Sequence, residues 1–338
     1  FYGLRITAEC CTSIWKSRMF CTQKSPDSID DVRKIMSVRR QLSESKTEKT
    51  SASWDNYMIN IAKSWLFRNK WCIFAQKHLQ TKHNMQILLA NAKIMFDKAD
   101  RKPISTPLFQ TVADTLAAEM ARMDVEDLAR QLDCSKKIAA ENWQRYHNFM
   151  AAEKMPALLA YNGQAYKHLR ADTLSDEALE YAQKHLWITC FLYGLLRPMD
   201  GIVPYRMEHC VTIEATNDKP IHQFWKDRLT DVLIDSVKAD DGILLHLSTE
   251  EYEHLFDWKR VCKEMTVVQP LFYVRQKDGR LKMQAVWAKS CRGAMVRFIL
   301  NNRLVTPEEL STFNYEGFEY APLLGDANNP HFVREFIK

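Results

Sequence analysis

Basic side chains occur in this sequence where elements of secondary structure are expected to begin or end. The five such residues are Lys93, Arg197, Arg206, Lys289 and Arg292, which stand in the strings LANAK, YGLLRPMD, PYRME and, for the last two, AKSCRG. Lysine and arginine beside free backbone N–H groups bind phosphate and carboxylate groups. The sequence therefore predicts an anion site if folding brings these residues together.

The same cations have a structural alternative. Each would equally cap a backbone carbonyl or pair with a carboxylate, for which Asp200, Glu208 and the Glu250–Glu251 pair are candidates. The two interpretations differ in what the fold must show. An anion site needs the basic groups in one shared recess, whereas structural roles leave them on separate sides of the molecule.

Acid–base chemistry also has candidates beside these cations. Tyr193 or Tyr205 would act as an acid and Glu208 or Glu251 as a base, with the neighbouring cations holding an anionic substrate. The plainer interpretation takes the tyrosines as packing residues and Glu251 as part of an acidic helix start. An enzyme acting on a small anionic substrate is therefore a second hypothesis.

The sequence lacks the common catalytic and nucleotide-binding signatures. It contains no GxxxxGK[ST], GxGxxG, HExxH or GxSxG string. Its cysteines and histidines have no zinc-ligand spacing, and no carboxylate cluster has the spacing of an iron site. We therefore expect no resident cofactor and no metal centre, and the irregular spacing of the nine cysteines favours a reducing, cytoplasmic compartment.

The charge of the chain is unevenly distributed. Lysine and arginine outnumber aspartate and glutamate by 47 to 42, but residues 1–84 hold 15 basic and 7 acidic residues, which leaves 32 basic and 35 acidic residues for the rest. An anion site beyond residue 84 must therefore be a local patch. No window reaches the roughly 18 uninterrupted apolar residues of a membrane helix, so we expect no membrane partner.

The composition changes at Met85, where a polar and basic stretch gives way to the apolar run QILLANAK. We expect residues 1–84 to be an extension, either upstream sequence or a poorly ordered segment, and residues 85–338 to form one domain. The alternative is a genuine basic arm that contacts a partner or a membrane surface.

Strand and helix patterns alternate without a regular βαβ order beyond Met85, which predicts an α+β fold: one mixed domain with an irregular, mostly antiparallel sheet surrounded by helices. Strands are expected at 86–93, 211–215, 242–249, 318–323 and 332–337, and a hairpin of strands 267–274 and 281–287 around Lys277–Gly279. Helices are expected at 109–122, 124–132, 135–147, 175–195, 222–237 and 290–301.

Several strings together make the region from Met85 onward resemble the YaaA family, the peroxide stress resistance proteins of bacteria. The matching strings are MQILLANAK, LLAYNGQAYKHLRADTL, FLYGLLRPMDGIVPYRMEH and AKSCRGAMVRFILNNRL, and they occur in the order of the family. The sequence departs from the usual family pattern at Gln164, His246 and Thr249.

The resemblance implies a cytoplasmic protein with a family-specific α+β fold that limits the damage done to DNA by iron and peroxide. It also implies binding of duplex or single-stranded DNA, without sequence specificity, through a positively charged cleft and a helix-hairpin-helix-like element. That element maps to Leu158–Leu174, with Gly163 at its turn and Lys167, His168 and Arg170 as its cations.

Overall fold

The computed structural model describes residues 84–335. The extension expected at residues 1–84, apart from Asn84, and the end of the strand expected at 332–337 lie outside the described residues. Among the described residues, none of the helices combines the length and apolar character that crossing a bilayer requires.

Several of the helices begin at polar side-chain caps. The side chains of Asp124, Ser135 and Ser175 each accept a hydrogen bond from the backbone N–H three residues later, which satisfies one free donor of the first turn. In chain order the α-helices are α1 (Gln110–Ala121), α2 (Val125–Gln131), α3 (Lys136–His147), α4 (Ala157–Ala160), α5 (Gln164–Leu169), α6 (Asp176–His185), α7 (Ile221–Lys238), α8 (Glu250–Glu253), α9 (Trp258–Glu264) and α10 (Ala285–Asn302).

The strands follow short apolar runs. They are β1 (Gln86–Ala90), β2 (Met155–Pro156), β3 (Leu186–Cys190), β4 (Gly194–Leu196), β5 (Gly201–Ile202), β6 (Ile243–Leu247), β7 (Thr266–Val268), β8 (Leu271–Arg275), β9 (Leu281–Lys282), β10 (Asn314–Tyr315), β11 (Phe318–Gly325) and β12 (Pro330–Arg334). Short 3-10 turns cover Ala171–Thr173, Glu214–Thr216 and Pro307–Thr312.

The α+β class is confirmed, but the larger strands form two sheets rather than one. The central sheet has the order β4-β3-β1-β6-β7 and is parallel except for β4. The second sheet has the order β10-β11-β12-β8-β9 and is antiparallel except for the β12–β8 pair. β2 and β5 form a separate antiparallel pair. Because the parallel strands share a direction, their carboxyl ends meet at one edge of the central sheet.

Some predicted elements differ from those in the structure. The helix expected at 175–195 ends at His185, and β3 begins at the next residue. Residues 186–190 are all buried, as in the middle of a parallel sheet covered on both faces, and such a run looks like a buried helix in sequence. The strand expected at 211–215 is reduced to one bridge between Thr212 and Pro220 beside the 3-10 turn at Glu214–Thr216.

The second sheet brings α10 against the hairpin helix α5. Gly293 permits this contact, because a Cβ atom at that position would stand 1.8 Å from the carbonyl oxygen of Ala165. Ser290, one turn earlier on α10, accepts a hydrogen bond from Gln164 at 2.9 Å. The expected hairpin around Lys277–Gly279 is confirmed as β8–β9, whereas the strand expected at 281–287 gives way to α10 at Ala285.

Candidate functional site

Two short helices, α4 and α5, lie in the segment that the resemblance maps to a helix-hairpin-helix-like element, and we refer to residues 157–170 as the hairpin. α4 and α5 are joined through Tyr161, Asn162 and Gly163, the last of which has extended backbone angles and precedes α5. The Asn162 N–H donates to the carbonyl of Ile94 at 2.8 Å, and the Phe96 N–H donates to the carbonyl of Ala160 at 2.8 Å. The hairpin is therefore fixed to the segment that follows β1.

The chain neighbours of two predicted cations contact the start of the hairpin helix α5. Gly163 packs against Ala92, the residue before Lys93. Gln164 is hydrogen-bonded to Ser290, the residue after Lys289. Lys93 and Lys289 therefore stand next in the chain to residues that contact the hairpin.

The hairpin itself carries exposed positive charge. Lys167 and Arg170 are exposed, and Arg170 ends α5 in the left-handed conformation with a φ of 50°. Within residues 84–335, neither side chain forms an ion pair or a hydrogen bond. Both line a groove of about 470 Å³ to which Phe96, Lys98 and Arg101 also contribute. Sequence analysis missed these last three residues, because they follow no pattern and reach the groove only through the pairing of residues 94–96 with the hairpin.

Two predicted cations share one carboxylate. Lys93 Nζ lies 2.6 Å from Glu208 Oε2, and Arg206 Nη2 lies 2.8 Å from Glu208 Oε1. The Lys93 side chain is 52% exposed and that of Glu208 only 6%. The Arg206 contact is close but not aligned as a hydrogen bond, and within the described residues the buried Arg206 Nε has no partner. The group carries one net positive charge.

A chain of buried hydroxyl groups lies behind this group at the carboxyl edge of the central sheet. Asn91 donates to the Tyr205 hydroxyl at 3.1 Å and accepts a hydrogen bond from Tyr252. The Tyr161 and Tyr205 hydroxyls are 2.8 Å apart. Tyr161, Asn91 and Tyr252 escaped sequence analysis, although the position of Asn91 directly after a buried strand was an available signal.

The candidate acids and bases differ in their surroundings. Burial raises the pKa of Tyr205 and of Tyr193 well above the usual value for tyrosine, so both remain neutral hydrogen-bonding groups. The Tyr193 hydroxyl accepts from the Val203 N–H at 3.4 Å. Glu251 is half-buried and lies 3.5 Å from His209. Glu208 is thus the candidate base that directly touches a partly exposed cation.

The structure places Arg197 away from this site, contrary to the expectation of one shared recess. Its guanidinium lies at the amino-terminal edge of the central sheet and donates to the carbonyls of Lys184 and Leu186 at 3.0 and 3.3 Å. It also stacks on the Trp187 ring, 3.4 Å from the centroid, and burial lowers its pKa to about 10. The structural alternative, capping of carbonyls, is the correct interpretation for Arg197.

Lys289 and Arg292 do not stand at a strand-to-helix junction as predicted, because α10 already begins at Ala285. Lys289 is exposed on the second turn of this helix, close to the hairpin. Arg292 is half-buried, its pKa is lowered by that burial, and it forms no hydrogen bond or ion pair with any described residue. Lys289 is therefore an exposed cation of the α10 surface and does not line the hairpin groove. Arg292 is available to an anion but does not line that groove either.

Comparison with known proteins matches the sequence of most of the described region to one family. The family profile described as "Peroxide stress protein YaaA" matches residues 85–324. A UPF0246 protein of Bacteroides thetaiotaomicron is 43% identical over 253 residues, which cover 74% of this chain and 98% of the relative. UPF0246 proteins of Parabacteroides distasonis and Legionella pneumophila are 38% and 34% identical over 74% of this chain, and cover 100% and 99% of their own lengths.

Proposed function

The chain belongs to the family of the peroxide stress protein YaaA, and on that premise we propose that it is a cytoplasmic protein that binds DNA and limits iron-driven oxidative damage. The DNA contact is the hairpin formed by α4 and α5. The observation that carries the proposal is the exposure of Lys167 and Arg170 on this hairpin without neutralising partners among the described residues.

The geometry supports contact with phosphates rather than with base edges. The hairpin offers an exposed lysine and an exposed arginine on a short element, and Ala92 and Ser290, the chain neighbours of Lys93 and Lys289, contact it. Phosphate contacts of this kind position a protein on DNA without reading its sequence. Because the region beyond residue 84 has slightly more acidic than basic residues, the affinity should depend on this local patch and fall steeply with salt.

Phosphate binding also supplies a physical route to protection. A protein that neutralises phosphates releases the cations condensed on them. Iron(II) held there reduces hydrogen peroxide to hydroxide and a hydroxyl radical within reach of the sugar and bases. A protein bound on the backbone would displace this iron and move the radical source away from the DNA.

The second candidate function is catalysis on a small anionic substrate, and the group of Lys93, Arg206 and Glu208 favours it. Here Lys93 would hold the anion and Glu208 would act as the base. Neither Tyr205 nor Glu208 lines the hairpin groove, whereas Lys167 and Arg170 both do. DNA binding is therefore the function that the geometry supports better.

The test measures binding of a fluorescent duplex by the full chain at two salt concentrations. The double variant Lys167→Glu/Arg170→Glu should lose most of the affinity, whereas Lys226→Glu, an exposed lysine on α7 outside the hairpin groove, should bind as the wild type does. Using the full chain keeps the contribution of residues 1–84 constant. Equal affinities for all three proteins would refute the hairpin as the contact.

The protective role has a separate assay. Supercoiled plasmid is exposed to iron(II) and hydrogen peroxide, and the nicked fraction is measured with each protein present. We expect the wild type and Lys226→Glu to protect and the hairpin double variant to fail. Protection by the double variant would contradict a mechanism that depends on phosphate coverage.

A further inference from the structure

We infer that the groove beside the hairpin holds an unpaired segment of DNA, with one base stacked on the ring of Phe96. This inference rests on the proposed function and specifies the form of DNA that the same site prefers. It starts from an aromatic side chain that the fold leaves exposed. Phe96 is 47% exposed and lines the groove together with Lys98, Lys167 and Arg170.

The backbone holds Phe96 in place. Its N–H donates to the carbonyl of Ala160, and the preceding residue, Met95, is buried and forms a bridge with Tyr161. The carbonyl oxygen of Ile94, a residue that is 62% exposed, accepts a hydrogen bond from the Asn162 N–H. The exposed ring therefore sits on a segment paired with the hairpin and needs little ordering on binding.

The charges around the ring suit a nucleic-acid strand. Among the described residues, Lys98, Lys167 and Arg170 form no ion pair, while Arg101 pairs with Asp176 at 2.5 Å. Asp100 and Asp172 also line the groove, so its positive charge is modest. A ring flanked by unpaired cations matches the pattern of proteins that stack bases and hold the flanking phosphates.

Duplex and single-stranded DNA would use this groove differently. In a duplex the base faces are covered by their neighbours, and a phenyl ring gains nothing from the phosphate backbone. In an unpaired segment the base faces are open, and stacking on an aromatic ring contributes favourable binding energy for each base. The lysines serve both forms, but Phe96 serves only the unpaired one.

The test compares the full chain with its Phe96→Ala and Phe96→Trp variants. The matched control is Ile104→Ala, which removes another exposed apolar side chain, 72% exposed and outside the groove. The probes are a 20-nucleotide thymidine strand that carries one 2-aminopurine and a blunt duplex of the same length. Anisotropy reports affinity, and the 2-aminopurine fluorescence reports stacking of the base.

We expect Phe96→Ala to weaken binding of the single strand about tenfold and of the duplex less than about twofold. The 2-aminopurine fluorescence should be quenched by the wild type and by Phe96→Trp but not by Phe96→Ala, and Ile104→Ala should match the wild type. Equal losses for both probes, no loss, or binding of the duplex alone would overturn the inference while leaving DNA binding intact. Failure of the wild type to bind either probe at low salt would remove the proposed function itself.

Discussion

Gly163 and Ala92 lie so close that a Cβ atom on residue 163 would stand 2.6 Å from the Cβ atom of Ala92. This distance is shorter than any two such carbon atoms tolerate. The turn of the hairpin is thereby fixed against the loop that follows β1, and Lys93 is held beside it. The contact decides how the positive charges of the candidate site are arranged.

Replacing this glycine tests the arrangement directly. Gly163→Ala should lower the free energy of unfolding by about 1–3 kcal/mol, because the added methyl group forces the two segments apart. The double variant Ala92→Gly/Gly163→Ala removes the opposing Cβ atom and should recover most of the loss. Urea unfolding of the full chain measures both, and a double variant no more stable than Gly163→Ala would contradict the steric account.

The carboxylate shared by Lys93 and Arg206 should contribute more to stability than the exposed Lys93 does. Glu208→Gln leaves Arg206 without its counter-charge in a largely buried position, so we expect a loss of about 2 kcal/mol. Lys93→Ala should cost less than about 1 kcal/mol, because the lysine is half exposed and Arg206 still pairs with Glu208. Chemical denaturation measures the loss of stability in each variant. Equal losses for Glu208→Gln and Lys93→Ala would contradict the larger contribution expected of Glu208.

The number of phosphate contacts should be measurable from the salt dependence of the duplex affinity. Plotting the logarithm of the duplex affinity against that of the salt concentration gives a slope of about 0.9 per contact. Lys167→Ala should reduce this slope by about 1, whereas Lys226→Ala should leave it unchanged. An unaltered slope for Lys167→Ala would show that the lysine touches no phosphate.

Arg197 should be important for stability and irrelevant to DNA. Its fork of donors reaches two backbone carbonyls, Gln86 and Ser236, and its face covers Trp187. Arg197→Lys retains the charge but loses the fork and the stacking, so we expect a loss of about 2–3 kcal/mol in unfolding free energy. The affinity of the folded variant for duplex DNA should stay within twofold of the wild-type value. A larger loss would show that Arg197 contributes to DNA binding after all.

The link between α7 and α9 should weaken in acid. Hydrogen bonds from Lys238 and Arg260 lower the pKa of Glu264 from 4.5 to about 2. A carboxyl group whose folded pKa is lowered stabilises the fold fully above its unfolded pKa and loses this effect as the pH falls toward the folded value. The stability difference between the wild type and Glu264→Gln should therefore be largest near pH 7 and shrink below pH 4.5. A constant difference would be inconsistent with this titration.

Features that depend on neighbouring residues in the chain were predictable from the sequence. The caps at Ser135 and Ser175, the acidic first turn of the helix that begins at Val125 and the strand that begins at Gln86 all follow from short patterns, and the structure contains each of them. The sequence also suggested that Glu208 would pair with nearby cations, and in the structure it contacts Lys93 and Arg206.

Features that depend on which strands become neighbours were not predictable. Leu186–Cys190 was taken for helix because an apolar run has the same appearance in a buried helix and a central strand. Arg197 lies at the amino-terminal edge of the central sheet, away from the candidate site, because β4 runs antiparallel to β3. The sequence near Arg197 does not reveal this strand direction. Phe96 lines the groove because its N–H donates a hydrogen bond to the carbonyl of Ala160. Ala160 lies in the hairpin, some 65 residues later in the chain, so the sequence around Phe96 does not predict this contact.

The hydroxyl chain of Tyr161, Tyr205, Asn91 and Tyr252 has a consequence for how the protein matures during synthesis. Its links join residues 91 and 205, 161 and 205, and 91 and 252, so no short stretch of polypeptide can form it in advance. A ribosome would have to deliver the chain past residue 252 before Asn91 and Tyr205 had all their partners. The hydroxyl chain is therefore among the last parts of the fold that can be completed during synthesis.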